Sequence, residues 1–126
     1  MNNISFTNLI KPSKKIIGSG FAGSINCTYD HLVNTFGEPM IPTDGYKTSA
    51  EWHLEVRRND KLLGVVSIYD YKQHDNYTKD GTETKDITEW HVGGRDSFVT
   101  GEVMAFVNHP LMLRYNKHHR DAQAHV

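Results

Sequence analysis

Three runs of the chain, at residues 51–57, 64–71 and 87–92, alternate apolar and polar side chains with period two. This alternation marks a strand with one face buried and the other in water. Trp52, Leu54 and Val56 share one side of the first run, Val66 and Ile68 of the second, and Trp90 and Val92 of the third. The opposite side carries Glu51, His53, Glu55 and Arg57, then Ser67, Tyr69 and Tyr71, then Glu89 and His91. The pattern predicts three antiparallel strands that hide both tryptophans and turn a polar, histidine-bearing face to solvent.

Two further stretches have the helical period. Tyr29, Leu32, Val33 and Phe36 recur at i, i+3, i+4 and i+7, behind Thr28 as N-cap and Asp30 in the first turn. Gly37 and Pro39 stop this helix after two turns, too short to stand alone, so it is expected to lie on the sheet. Phe98, Val99, Val103, Phe106 and Val107 give a second helix its apolar face, with Pro110 beyond its end. Gly18-Ser19-Gly20-Phe21-Ala22-Gly23 is a literal G-x-G-x-x-G. A dinucleotide site needs a helix opening on that motif and a second strand about 20 residues on. Residues 24–28 do not continue as a helix, and Pro39 and Pro42 occupy the place of the strand. The motif is therefore read as a glycine-rich bend or bulge entering a strand near residues 22–26.

The expected architecture is α+β, a small antiparallel sheet of about four strands with two helices packed on one face. Residues 16–115 form its single domain. Residues 1–15, rich in Asn and Lys and broken by Pro12, are expected as a flexible N-terminal arm. Residues 116–126 are expected as a loose C-terminal tail. Residues 40–49 read as a loop at the rim of any pocket, and residues 73–86 as a long mobile hairpin tip or a disordered loop.

Composition narrows the chemistry. A net charge of −1 with neutral histidines leaves no basic stripe, so no polynucleotide partner is expected. No run is long and apolar enough for a membrane span or signal peptide, and one cysteine, Cys27, forms no internal disulfide. A cytoplasmic location is the expectation. Cys27 precedes a helix N-terminus, which lowers a thiol pKa, but it equally suits a small buried hydrophobe.

Candidate chemistry lies in two places. At Gly93-Gly94-Arg95-Asp96-Ser97, free backbone amides, a helix N-terminus and a planar cation could hold a phosphate or carboxylate, unless Asp96 or Ser97 simply caps the helix. On the polar face, Tyr69 and Tyr71 could stack a flat ring. His53, His91 and a Glu could approach a metal if their strands were neighbours in register, yet no H-E-x-x-H or C-x-x-C supports a metal, and none is assigned. His91 with Glu89 could transfer protons, but no nucleophile accompanies them.

Several segments together resemble small accessory proteins of tailed bacteriophages. They are Tyr29-x-x-Leu32-x-x-x-Phe36-Gly37-x-Pro39, Gly45-Tyr46-Lys47, Glu51-Trp52, Ile68-Tyr69-Asp70-Tyr71-Lys72 and Trp90-His91-x-Gly93-Gly94. The resemblance spans roughly residues 16–107. It implies a viral protein made in the bacterial cytoplasm and transfers no catalytic residue. With that origin, the expected function is binding rather than catalysis: sequestration of a small anionic ligand, a nucleotide signal of bacterial immunity, by a homo-oligomer that needs no cofactor. The expected ligand-binding residues are Lys47, Tyr69, Tyr71, Lys72, His91, Gly93, Gly94, Arg95 and Ser97. The alternatives are an inhibitor that binds a host protein through the open face or a sheet edge, and a small hydrolase using His91 and Glu89.

Overall fold

The computed structural model describes residues 4–9, 11, 20–40, 48–71, 73, 81–108 and 114–120, the last of these as backbone. Its elements are β1 (Ile4–Leu9), β2 (Gly20–Asn26), α1 (Tyr29–Phe36), β3 (Glu51–Arg58), β4 (Lys61–Tyr69), β5 (Glu89–Gly94), α2 (Ser97–Asn108) and β6 (Arg114–Arg120). One sheet contains all six strands in the order β2-β5-β4-β3-β1-β6. The first five run antiparallel, and β6 lies parallel to β1. The fold is α+β as expected, with a larger sheet.

The expected arm and tail both enter that sheet. Ile4–Leu9 is an interior strand between β3 and β6, and every one of its residues is buried. Its Asn8, one of the asparagines of the expected arm, donates through Nδ2 to the carbonyls of Phe36 (2.8 Å) and Glu38 (2.9 Å), fastening the end of α1. Arg114–Arg120 likewise extends the sheet where a loose tail had been expected from residue 116.

Both helices cover one face. Phe6 of β1 meets Phe36 of α1 edge-on at 6.0 Å and Phe106 of α2 at 4.7 Å, and the two helical rings lie 5.8 Å apart. Trp52 and Trp90 are fully buried in this core and contact each other edge to face at 5.4 Å. Burial of an indole requires a partner for its N–H. Trp90 donates to Cys27 O (3.1 Å) just before α1, and Trp52 donates to Gly37 O (2.8 Å) just after it. The two tryptophans thus hold the helix at both ends. Its own caps agree with the pattern: Thr28 Oγ1 accepts from His31 N at 3.0 Å, and Gly37, at φ 92°, donates its N–H to Val33 O. Leu32 and Phe36 are the buried residues of its stripe.

In β2, a bulge falls between Phe21 and Gly23, within the glycine-rich segment. Among the described residues, no helix is long and apolar enough to cross a membrane.

Candidate functional site

The face of the sheet away from the helices is ordered by register. Glu51, Tyr69, His91 and Ser24 form one row across β3, β4, β5 and β2; His53, Ser67, Gly93 and Phe21 form the next. β4 therefore separates His53 from His91, and the neighbouring-strand arrangement that a shared metal would need does not arise. Among the described residues, no group of three His, Cys, Asp or Glu side chains could hold a metal ion.

At its β3 end this face departs from expectation, because the polar side chains are not in water. His53 is 4% exposed and Glu55 1%, and Arg57, Ser67, Ser5 and Thr7 are buried as well. Buried charges must pair. Here they pair along the strand: His53 Nε2 bonds Glu51 Oε2 at 2.9 Å, and Arg57 Nη1 donates to Glu55 Oε1 at 2.5 Å. Thr48 Oγ1 also donates to Glu51, at 3.0 Å. The hydrogen bond from His53 holds the Glu51 carboxyl below its ordinary value, against a burial that pushes it up. Side chains two apart on a strand share a face. The spacings Glu51-x-His53 and Glu55-x-Arg57 were thus the sequence signal for internal pairing.

The β5 end of the face is different in kind. His91 lies beneath three aromatic rings: Tyr71 stacked on it at 5.7 Å, Tyr69 edge-on at 5.6 Å, and Phe21 edge-on at 4.9 Å. Phe21 is 64% exposed and Tyr71 37% exposed. Contiguous exposed apolar surface, unlike single exposed side chains, marks interaction sites. Burial, then the charge of Glu51 and the neighbouring Tyr71, push the Tyr69 phenol up, so it remains a proton donor at neutral pH. Phe21 was not among the expected ligand residues. It belonged to the glycine motif, and only the pairing of Phe21 with Gly93 brings it here.

The glycine turn has a packing role. A Cβ on Gly93 would stand 2.9 Å from Ser67 Oγ and 3.5 Å from the Tyr69 ring; one on Gly94 would stand 2.5 Å from Thr100 Cγ2. Both residues belong to β5, opposite Phe21 and Gly20. The helix N-terminus is already filled, since Asp96 Oδ1 accepts from Phe98 N (2.8 Å) and Val99 N (3.3 Å). A carboxylate capping the first turn opposes a second anion there. Gly93 and Gly94 thus meet a packing need and Asp96 caps the helix, while Ser97 is exposed at its first turn. Arg95 keeps an open setting, lining with Asp96, Val99, Thr100 and the Leu62 to Val66 stretch of β4 a cavity of about 270 Å³. Lys47 and Lys72 lie outside the described residues.

His91 and Glu89 follow one another on the same side of β5, but the ring contacts of His91 are aromatic and Glu89 is exposed. Cys27 is half-buried, and desolvation pushes its thiol up to about 11. It packs against the hydrophobic core, and its raised thiol fits that packing role.

Matched against family models, curated proteins and solved structures, the chain is significantly similar to none.

Proposed function

We propose that the protein is a binding protein that sequesters a small anionic ligand carrying a flat ring, a nucleotide signal of bacterial immunity, as a counter-defence factor of a bacteriophage. The observation that supports this reading best is the open aromatic cluster of Phe21, Tyr69 and Tyr71 around His91. Base-on-aromatic stacking contributes about 1–3 kcal/mol per base and needs no basic stripe. Arg95 lies four residues after His91, in the bend between β5 and α2. In this reading Arg95 holds the charged part of the ligand.

Incubating the pure protein with a pool of nucleotides, washing, and heating to release what is held tests the proposal. Release of an unaltered nucleotide supports it; release of an altered product points to an enzyme, and an empty protein points to a macromolecular partner. That last reading, inhibition of a host protein, has one observation in its favour: β2 is a sheet edge that displays Phe21.

A further inference from the structure

We propose that two copies of this chain pair antiparallel through their β2 edges, and that the aromatic surface is completed by the second copy. The outer side of β2 has no strand partner among the described residues, while most of its side chains are exposed. Natural edges are usually blocked by charge or proline. β2 reads Gly-Phe-Ala-Gly-Ser-Ile-Asn, without a charge or a proline, in a chain that is 23% charged. Its outer backbone groups call for another strand, and an uncharged strand meets its own copy without placing like charges opposite each other.

Alternation restricts such a pairing to registers whose two-fold axis passes through a residue. A two-fold axis normal to the sheet keeps each face on its own side, so directly opposed residues must share a face. Ser24 shares a face with His91 of the same chain, and Ile25 shares one with Trp90. An axis at Ser24 satisfies this rule: Ser24 faces Ser24 of the second copy, and Gly23 faces its Ile25. The bulge between Phe21 and Gly23 keeps the shared ladder short, which makes the dimer reversible.

The consequence for the surface is direct. The row Glu51, Tyr69, His91, Ser24 continues into its mirror order in the second copy. The two His91 residues then stand three strand spacings apart, about 14 Å. Ser24 and its counterpart form the floor between the clusters, and one Phe21 from each copy flanks them. The pairing does not depend on the nucleotide reading; only the shared use of the surface rests on it.

Sedimentation across a concentration series, on wild type, Ser24→Lys, Ser24→Glu and an equimolar mixture of the two variants, tests the pairing. Ser24 is exposed in the single chain, so both variants fold, and thermal melting checks that they do. The expected result is a concentration-dependent wild-type dimer, with the dissociation constant raised about two- to fivefold in each variant alone by like charge across the axis, and restored in the mixture. A wild type that stays monomeric up to its solubility limit overturns the proposal. So does a dimer indifferent to Ser24→Lys, or a mixture no more associated than its components. Assaying the same samples for retained nucleotide separates the two claims. A monomer that holds ligand defeats only the pairing, and a dimer that holds none defeats only the ligand reading.

Discussion

Two ends of one sheet face carry the same kinds of residue and behave in opposite ways. On β3, His53, Glu55 and Arg57 are buried and answered by partners two residues away on their own strand. On β5 and β2, His91 is answered by rings, and two of those rings stand open. Polar alternation alone does not separate them, because period two reports which side a residue points to and not what covers that side. Where complementary charges recur at i and i+2, the strand can satisfy itself and be buried. Where histidine is surrounded by aromatics, as at His91, its described contacts are rings, two of which stay exposed.

The largest expected effects fall on the buried end. Replacing Glu55 with Ala leaves Arg57 buried without that carboxylate and should cost about 3–5 kcal/mol in chemical denaturation. Phe21→Ala, at the open end, should change stability by less than about 0.5 kcal/mol, as an exposed position does. Equal losses at the two positions would erase the contrast. At the open end, Tyr71→Ala and Phe21→Ala should each lower affinity for a retained nucleotide by about 1–3 kcal/mol, read by calorimetry against the purified ligand. Arg95→Ala should weaken it by about 1.5–3 kcal/mol through loss of a charged hydrogen bond. Unchanged affinity in Arg95→Ala removes the cavity from the site and leaves only the rings.

Acid sharpens the same comparison with a smaller effect. Glu51 is depressed in the folded protein, chiefly by the hydrogen bond from His53. Its contribution to stability is therefore present above the unfolded carboxyl value, about 4.3, and is lost as pH falls through the lower folded value. A His53→Gln variant should lose part of this dependence, which urea midpoints measured at descending pH would show; identical slopes for variant and parent would contradict the pair. The smallest effect concerns Cys27. With its thiol pushed up to about 11, it should react with iodoacetamide at neutral pH far more slowly than a free thiol, and reach that rate only on unfolding.

Much of the fold was legible because its signals are local. Thr28 and Gly37 bound a two-turn helix by their capping chemistry, and the alternation of Trp52, Leu54 and Val56 assigns the core face without reference to any partner. β1 was not legible. Ser5, Thr7 and Asn8 look solvated in sequence, and Asn8 is buried because two carbonyls at the far end of α1 accept its amide. Contacts across 28 and 30 residues leave no trace in a window of ten. The site divides in the same way. Tyr69, Tyr71 and His91 follow from strand parity, whereas Phe21 arrives through a pairing register and a bulge. The glycine turn misled for a physical reason: Gly93 and Gly94 satisfy close packing against Ser67 and Thr100, and a glycine needed for packing looks the same in sequence as one needed for a ligand.

The central claim is that the open rings around His91 are where this protein meets its ligand. The most direct test compares nucleotide retained by wild type with that retained by the Phe21→Ala, Tyr71→Ala double variant, after confirming equal melting of the two. The account predicts a nucleotide released intact by heat from the wild type and none from the variant. Equal retention by both, or none by either, would contradict it.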